Sequence, residues 1–145
     1  MEPHRLNARP RARWEEPTVA NVVRVPDVSR ALPVEVAFLC VPISDLRRLG
    51  DFYARLFGRP ADIDVNDDEV MWCVVPGAAW LYVVVDRARA GRTVVTLSVG
   101  DLEAVVGDLA ERGIEPARRE EVPGAGHKAI LVDPDGNEIT LLEVV

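Results

Sequence analysis

The side chains able to do chemistry are few and scattered along this chain. Histidine occurs only as His4 and His127, and cysteine only as Cys40 and Cys73. A bound transition metal needs imidazole, thiolate or carboxylate groups converging on one point, and no Cys/His spacing of that kind is present. There is no nucleophile elbow and no glycine-rich phosphate loop. His127 follows the flexible stretch Gly124-Ala125-Gly126 and is trailed by Lys128 and Glu138, which makes His127 and Glu138 the candidates for a general acid or base. An ordinary surface-loop histidine has the same signature. Cys40 and Cys73 both lie in apolar runs, the pattern of buried free thiols, and Cys40 has no evident base to activate it. Asp62, Asp64, Asp67, Asp68 and Glu69 form an acidic stretch that reads as a solvated edge, able to draw a basic guest.

The elements that must position these groups are readable from periodicity. Apolar or alternating runs predict strands at Val34–Val41, Ala61–Val65, Val70–Val75, Ala79–Asp86, Arg92–Val99, Ile114–Val122, His127–Val132 and Glu138–Val144. Leu46, Leu49, Phe52, Tyr53, Leu56 and Phe57 recur at helical spacing, with Ser44 or Asp45 placed to cap the start and Gly58 the end. Leu102, Val105, Val106 and Leu109 mark a second helix between Asp101 and Gly113. Asp133-Pro134-Asp135-Gly136 spells a type I turn followed by a left-handed glycine. The order strand, helix, three strands occurs twice, about 34–87 and about 92–145, and Asp45-Leu46 corresponds to Asp101-Leu102. The predicted fold is therefore α+β, two βαβββ repeats. Each helix covers one face of a four-stranded sheet, and the other face requires a second unit to bury it.

Composition bounds the function. The 145 residues suffice for one domain, 48% of them hydrophobic and 28% charged, as expected of a globular chain. No apolar run reaches the 18 or so residues of a membrane span, and the N-terminus lacks the apolar stretch of a secretory signal, so a cytoplasmic location is expected. The net charge of −7 is unevenly spread. Residues 1–33 carry six Arg against four acids, and the remainder is strongly acidic, a balance that repels nucleic acid. Residues 1–33, with five prolines, read as a partly flexible arm, and Trp14 and Val19–Val25 could pack on the body.

Residues 34–145 resemble the vicinal oxygen chelate superfamily of glyoxalases, bleomycin-resistance proteins and extradiol dioxygenases. The resemblance is carried by Asp133-Pro134-Asp135-Gly136-Asn137 followed by Glu138-Ile139-Thr140-Leu141-Leu142, and by Ser44-Asp45-Leu46, Asp51-Phe52-Tyr53 and Leu56-Phe57-Gly58. In the metal-binding members two histidines and two carboxylates on the strands hold a divalent ion. Carried over residue by residue, those positions fall on Phe38, Val94, Tyr82 and Thr140. Phenylalanine and valine offer no lone pair, so the resemblance implies the fold without its metal or any other cofactor.

Strand alternation groups Phe38 and Cys40, Trp80 and Tyr82, and Val94, Thr96 and Thr140, with Trp72 on a neighbouring strand. If those faces line a cavity, it is apolar and aromatic with a few hydroxyls, suited to a planar or cationic guest. A filled core would have the same composition. The function expected is metal-independent binding of a small apolar or aromatic molecule, as in sequestration, within a homodimer that makes no contact with nucleic acid or membrane. Two other readings are a metal-free isomerase, cyclase or lyase acting on a natural-product-like substrate, and a non-catalytic interaction or regulatory module.

Overall fold

The computed structural model describes residues 32–144. The expected arm at 1–33, with His4, Trp14 and Val19–Val25, lies almost wholly outside them. The described chain runs β1 (Ala37–Ile43), α1 (Leu46–Phe57), β2 (Ile63–Asn66), β3 (Glu69–Val75), β4 (Ala79–Val85), β5 (Val94–Val99), α2 (Leu102–Glu111), β6 (Arg118–Val122), β7 (Gly126–Val132) and β8 (Glu138–Val144). It is the βαβββ unit twice, as the periodicity predicts.

The strands form two four-stranded sheets, β1-β4-β3-β2 and β5-β8-β7-β6. In each, the first strand of the repeat runs parallel to the last and the other pairs are antiparallel. β1 begins at Ala37 instead of Val34 because its neighbour β4 begins at Ala79, the register partner of Ala37. Val34 and Val36 therefore have no strand to pair with and stay exposed. β6 likewise starts later than the apolar pattern suggests, since Ile114 belongs to the end of α2, where its amide donates to the Leu109 carbonyl.

Helix boundaries follow their caps. The Asp45 carboxylate accepts from the Arg48 amide, and Asp101 does the same for Ala104. α1 ends at Gly58, whose φ of 69° is the left-handed turn that glycine adopts without a Cβ penalty. Leu49, Phe52, Tyr53 and Leu56 of α1 and Leu102 and Leu109 of α2 are buried. They pack with Val41, Leu81, Val83, Ile139 and Leu141 into one core shared by both repeats. Among the described residues, no helix is long and apolar enough to cross a membrane.

The two repeats are joined chiefly at the turn between β7 and β8. Asp133 Oδ1 accepts from the amides of Asp135 and Asn137, which closes the turn on itself. The turn then reaches the other repeat. The Ser44 amide and hydroxyl both donate to Asp135, each at 2.6 Å, and Asn137 Nδ2 donates to the Pro42 carbonyl at 3.0 Å. Ser44 thus engages the opposite repeat, and Asp45 alone caps the helix. At the helix C-termini Arg112 donates to the carbonyls of Arg55 and Leu56, and Arg55 donates to the carbonyl of Arg112.

Candidate functional site

In a sheet, residues in register on neighbouring strands share a face, so the pairing fixes what each surface presents. On the first sheet the helix takes the face of Val41, Ile43, Leu81, Val83 and Trp72. The opposite face carries two rows, Phe38–Trp80–Cys73 and Cys40–Tyr82–Met71. Four of the residues expected to contact a guest, Phe38, Cys40, Trp80 and Tyr82, therefore adjoin one another. This surface is apolar yet open: Phe38 is 56% exposed, while Cys40, Trp80 and Tyr82 are half-buried. Tyr82 and Cys40 are cross-strand partners, and the neighbouring thiol, with some burial, pushes the tyrosine pKa above its ordinary value. Beside them Cys40, Pro42, Arg89, Arg92 and Thr93 line a depression of about 330 Å³.

On the second sheet the open face carries Val94 with Glu138 and Val132, then Thr96 with Thr140 and Ile130. Val94, Thr96 and Thr140 thus also share a surface. Val94 is 64% exposed, whereas Thr140 and Ile130 are buried. The four positions matched to the superfamily's metal ligands all lie on these open faces, Phe38 beside Trp80 and Val94 beside Glu138. They do not fit a divalent metal, because a phenyl ring, an isopropyl group, a phenol and a hydroxyl supply neither imidazole nor carboxylate. Among the described residues, no group of three or more His, Cys, Asp or Glu converges anywhere.

Trp72 departs from the expected set. It pairs with Leu81 and so faces α1, where it is 1% exposed and lies 5.5 Å, centroid to centroid, from Phe57. Its indole Nε1 donates to the Arg59 carbonyl at 3.1 Å, which satisfies the buried donor. The residue is core, and the open-face positions of β3 are Met71 and Cys73, which alternation within this doubly apolar strand does not single out.

His127 also falls on the helix side. It shares the parity of the core residues Ala129 and Leu131, pairs with Glu143, and is exposed beside Glu103, Arg119 and Glu121. Glu138 stands on the open face at the opposite end of the same hairpin, opposite Val132, with Arg118 donating to it at 2.9 Å. Five register positions separate the two, roughly 17 Å along the strand, too far for a shared proton transfer. The acidic stretch is broken up: Asp62 is held below the usual carboxylate range by its hydrogen bond with Arg59 and by the Cys73 amide.

The chain matches the family model described as a glyoxalase-like domain over residues 38–142. A glyoxalase/bleomycin resistance protein from Catenulispora acidiphila DSM 44928 is 32% identical, covering 77% of this chain and all of that one, with a TM-score of 0.72. TnmS3, an antibiotic binding protein from Streptomyces sp. CB03234, is 26% identical over 79% of this chain and 98% of its own, with a TM-score of 0.63. A bleomycin-binding protein crystallised with bleomycin is 22% identical over 77% of this chain and all of its own; its TM-score of 0.62 shows a shared fold. The comparison with curated proteins found no match.

Proposed function

The chain belongs to the glyoxalase-like domain family of the vicinal oxygen chelate superfamily, and on that premise we propose that it binds a small apolar or aromatic molecule on its open sheet faces, without a metal. The observation that carries this reading is the contiguous patch of Phe38, Cys40, Trp80 and Tyr82, apolar and aromatic and only partly covered by the described residues. Aromatic rings at such a surface stack on planar guests and attract cationic ones. The antibiotic-binding relative supports a role in sequestration, which needs affinity alone and tolerates loss of metal ligands. A second copy of the chain, paired about a two-fold axis, would complete each pocket and cover Phe38 and Val94.

Titration of the protein with bleomycin and other aromatic antibiotics, followed by tryptophan fluorescence, tests the reading. Binding weakened at least tenfold by Trp80→Ala and unchanged by EDTA supports it. Binding indifferent to Trp80→Ala, or abolished by EDTA, refutes it. A catalytic reading retains Glu138 alone, since His127 lies on the helix side of its sheet, remote from Glu138.

A further inference from the structure

We infer that the junction between the two repeats holds a second ligand site, for a neutral and largely apolar small molecule, distinct from the open faces. The repeats are related by a shift of 56 residues that carries Asp45 onto Asp101, Leu49 onto Val105 and Tyr53 onto Leu109. The same shift carries Pro42 onto Ser98, Ile43 onto Val99 and Ser44 onto Gly100. Two junctions are thus related by pseudo-symmetry, and they are filled differently.

At the first junction the five-residue turn Asp133–Asn137 enters the gap and bonds to Pro42, Ser44 and Tyr53. At the second, the corresponding turn between β3 and β4 has only Pro76, Gly77 and Ala78, with no polar side chain to offer. The hydroxyls it would meet are missing as well, because Tyr53 is replaced by Leu109 and Ser44 by Gly100. What remains is a cavity of about 470 Å³ whose walls include Val75, Ala79, Val99, Val105 and Leu109, with Thr96 and Ser98 at its edge.

That volume is in the range of small-molecule sites, about 300–1,000 Å³. Its walls dictate the guest. Arg59 is the one charged lining residue, and its Nε and Nη2 are already bound to Asp62, with Nη2 also donating to the Cys73 carbonyl. With Arg59 paired to Asp62 and the remaining walls largely apolar, the site favours an uncharged aliphatic or aromatic body. Thr96 and Ser98 can meet one hydrogen-bonding group. The site is set apart from the open faces by its helix-side walls, Leu56, Phe57, Val105 and Leu109, although Cys73 and Thr96 border both.

The test uses the full chain and the neutral fluorophore N-phenyl-1-naphthylamine. The expected result is saturable binding, with intermolecular NOEs from the probe to the methyls of Val105 and Leu109. Val105→Phe and Ala79→Phe, which fill the cavity from two sides, should each weaken binding at least tenfold, while His127→Ala, remote from both sites, leaves it unchanged. Absence of binding, NOEs to Phe38 or Tyr82 in place of Val105 and Leu109, or wild-type affinity in both filled variants would overturn the assignment. The NOE measurement on the unaltered protein decides the matter should a filled variant fail to fold.

Discussion

The Tyr53 hydroxyl donates a 2.8 Å hydrogen bond to Asp133 Oδ2, a buried contact between residues 80 apart in sequence. It fastens the helix of the first repeat to the last turn of the second. Asn137 Nδ2 donates to the same carboxylate oxygen, so the buried charge of Asp133 is met from both repeats.

Removing that hydroxyl should loosen the junction. A hydrogen bond to a charged group contributes about 1.5–3 kcal/mol, and Tyr53→Phe should lower the unfolding free energy by that amount in urea titrations. The alkaline side gives a second readout. Burial, then the nearby Asp133 carboxylate, raise the Tyr53 pKa in the folded state. Above about pH 10, the ordinary tyrosine value, the unfolded chain loses this proton while the folded chain keeps it, so stability should fall with rising pH. Tyr53→Phe should flatten this decline, leaving the contribution of Tyr82, which is shifted in the same direction.

Gly91, in the link between the repeats, should resist substitution. Its φ of +84° is unfavourable for residues with a Cβ, and a Cβ there would collide with the backbone carbonyl of Asp135. Gly91→Ala should cost more than about 1 kcal/mol in a denaturant titration. Gly77→Ala is the informative control: its φ is also positive, at +72°, but nothing lies within 4 Å of the added methyl. The difference between the two variants isolates the collision from the backbone strain.

Trp72 and Trp80 are eight residues apart and should behave oppositely. Trp72→Ala empties a filled core position and should destabilise by about 3–5 kcal/mol. Phe38→Ser, beside Trp80 on the face exposed in a single chain, should move the stability of the monomer by no more than about 0.5 kcal/mol while weakening both the dimer and any guest held there. Thermal melts paired with ligand titrations check both halves.

His127→Ala should leave ligand affinity unchanged, because the side chain lies on the helix side of its sheet among Glu103, Arg119 and Glu121. A loss of affinity in this variant, measured by the same titration, would place the guest on the wrong face of the sheet for this account.

How far the sequence disclosed these features depended on how local each one is. The two repeats and the Asp45 and Asp101 caps are written in short-range periodicity, and the structure bears them out. The period of two sets Phe38 with Cys40 and Trp80 with Tyr82, but only the parallel pairing of β1 with β4 brings the two pairs together. Trp72 escaped because β3 is apolar on both faces: Val70, Trp72 and Val74 alternate with Met71, Cys73 and Val75, so no polar side marks the outward one. Only the pairing of Trp72 with Leu81 settles its direction. His127 escaped for the same reason, its face being set by Ala129 and Leu131 on its own strand. The Tyr53–Asp133 bond spans most of the domain and leaves no local trace. The junction cavity did leave one, in the three-residue turn at 76–78 against the five-residue turn at 133–137.

A native mass spectrum of the freshly purified protein, recorded before any treatment with chelator, tests the central claim most directly. The account predicts a dimer that carries an organic mass beyond the polypeptide and no divalent metal. A stoichiometric divalent metal on the protein would contradict it, since the strand positions occupied by Phe38, Tyr82, Val94 and Thr140 could not have held that ion.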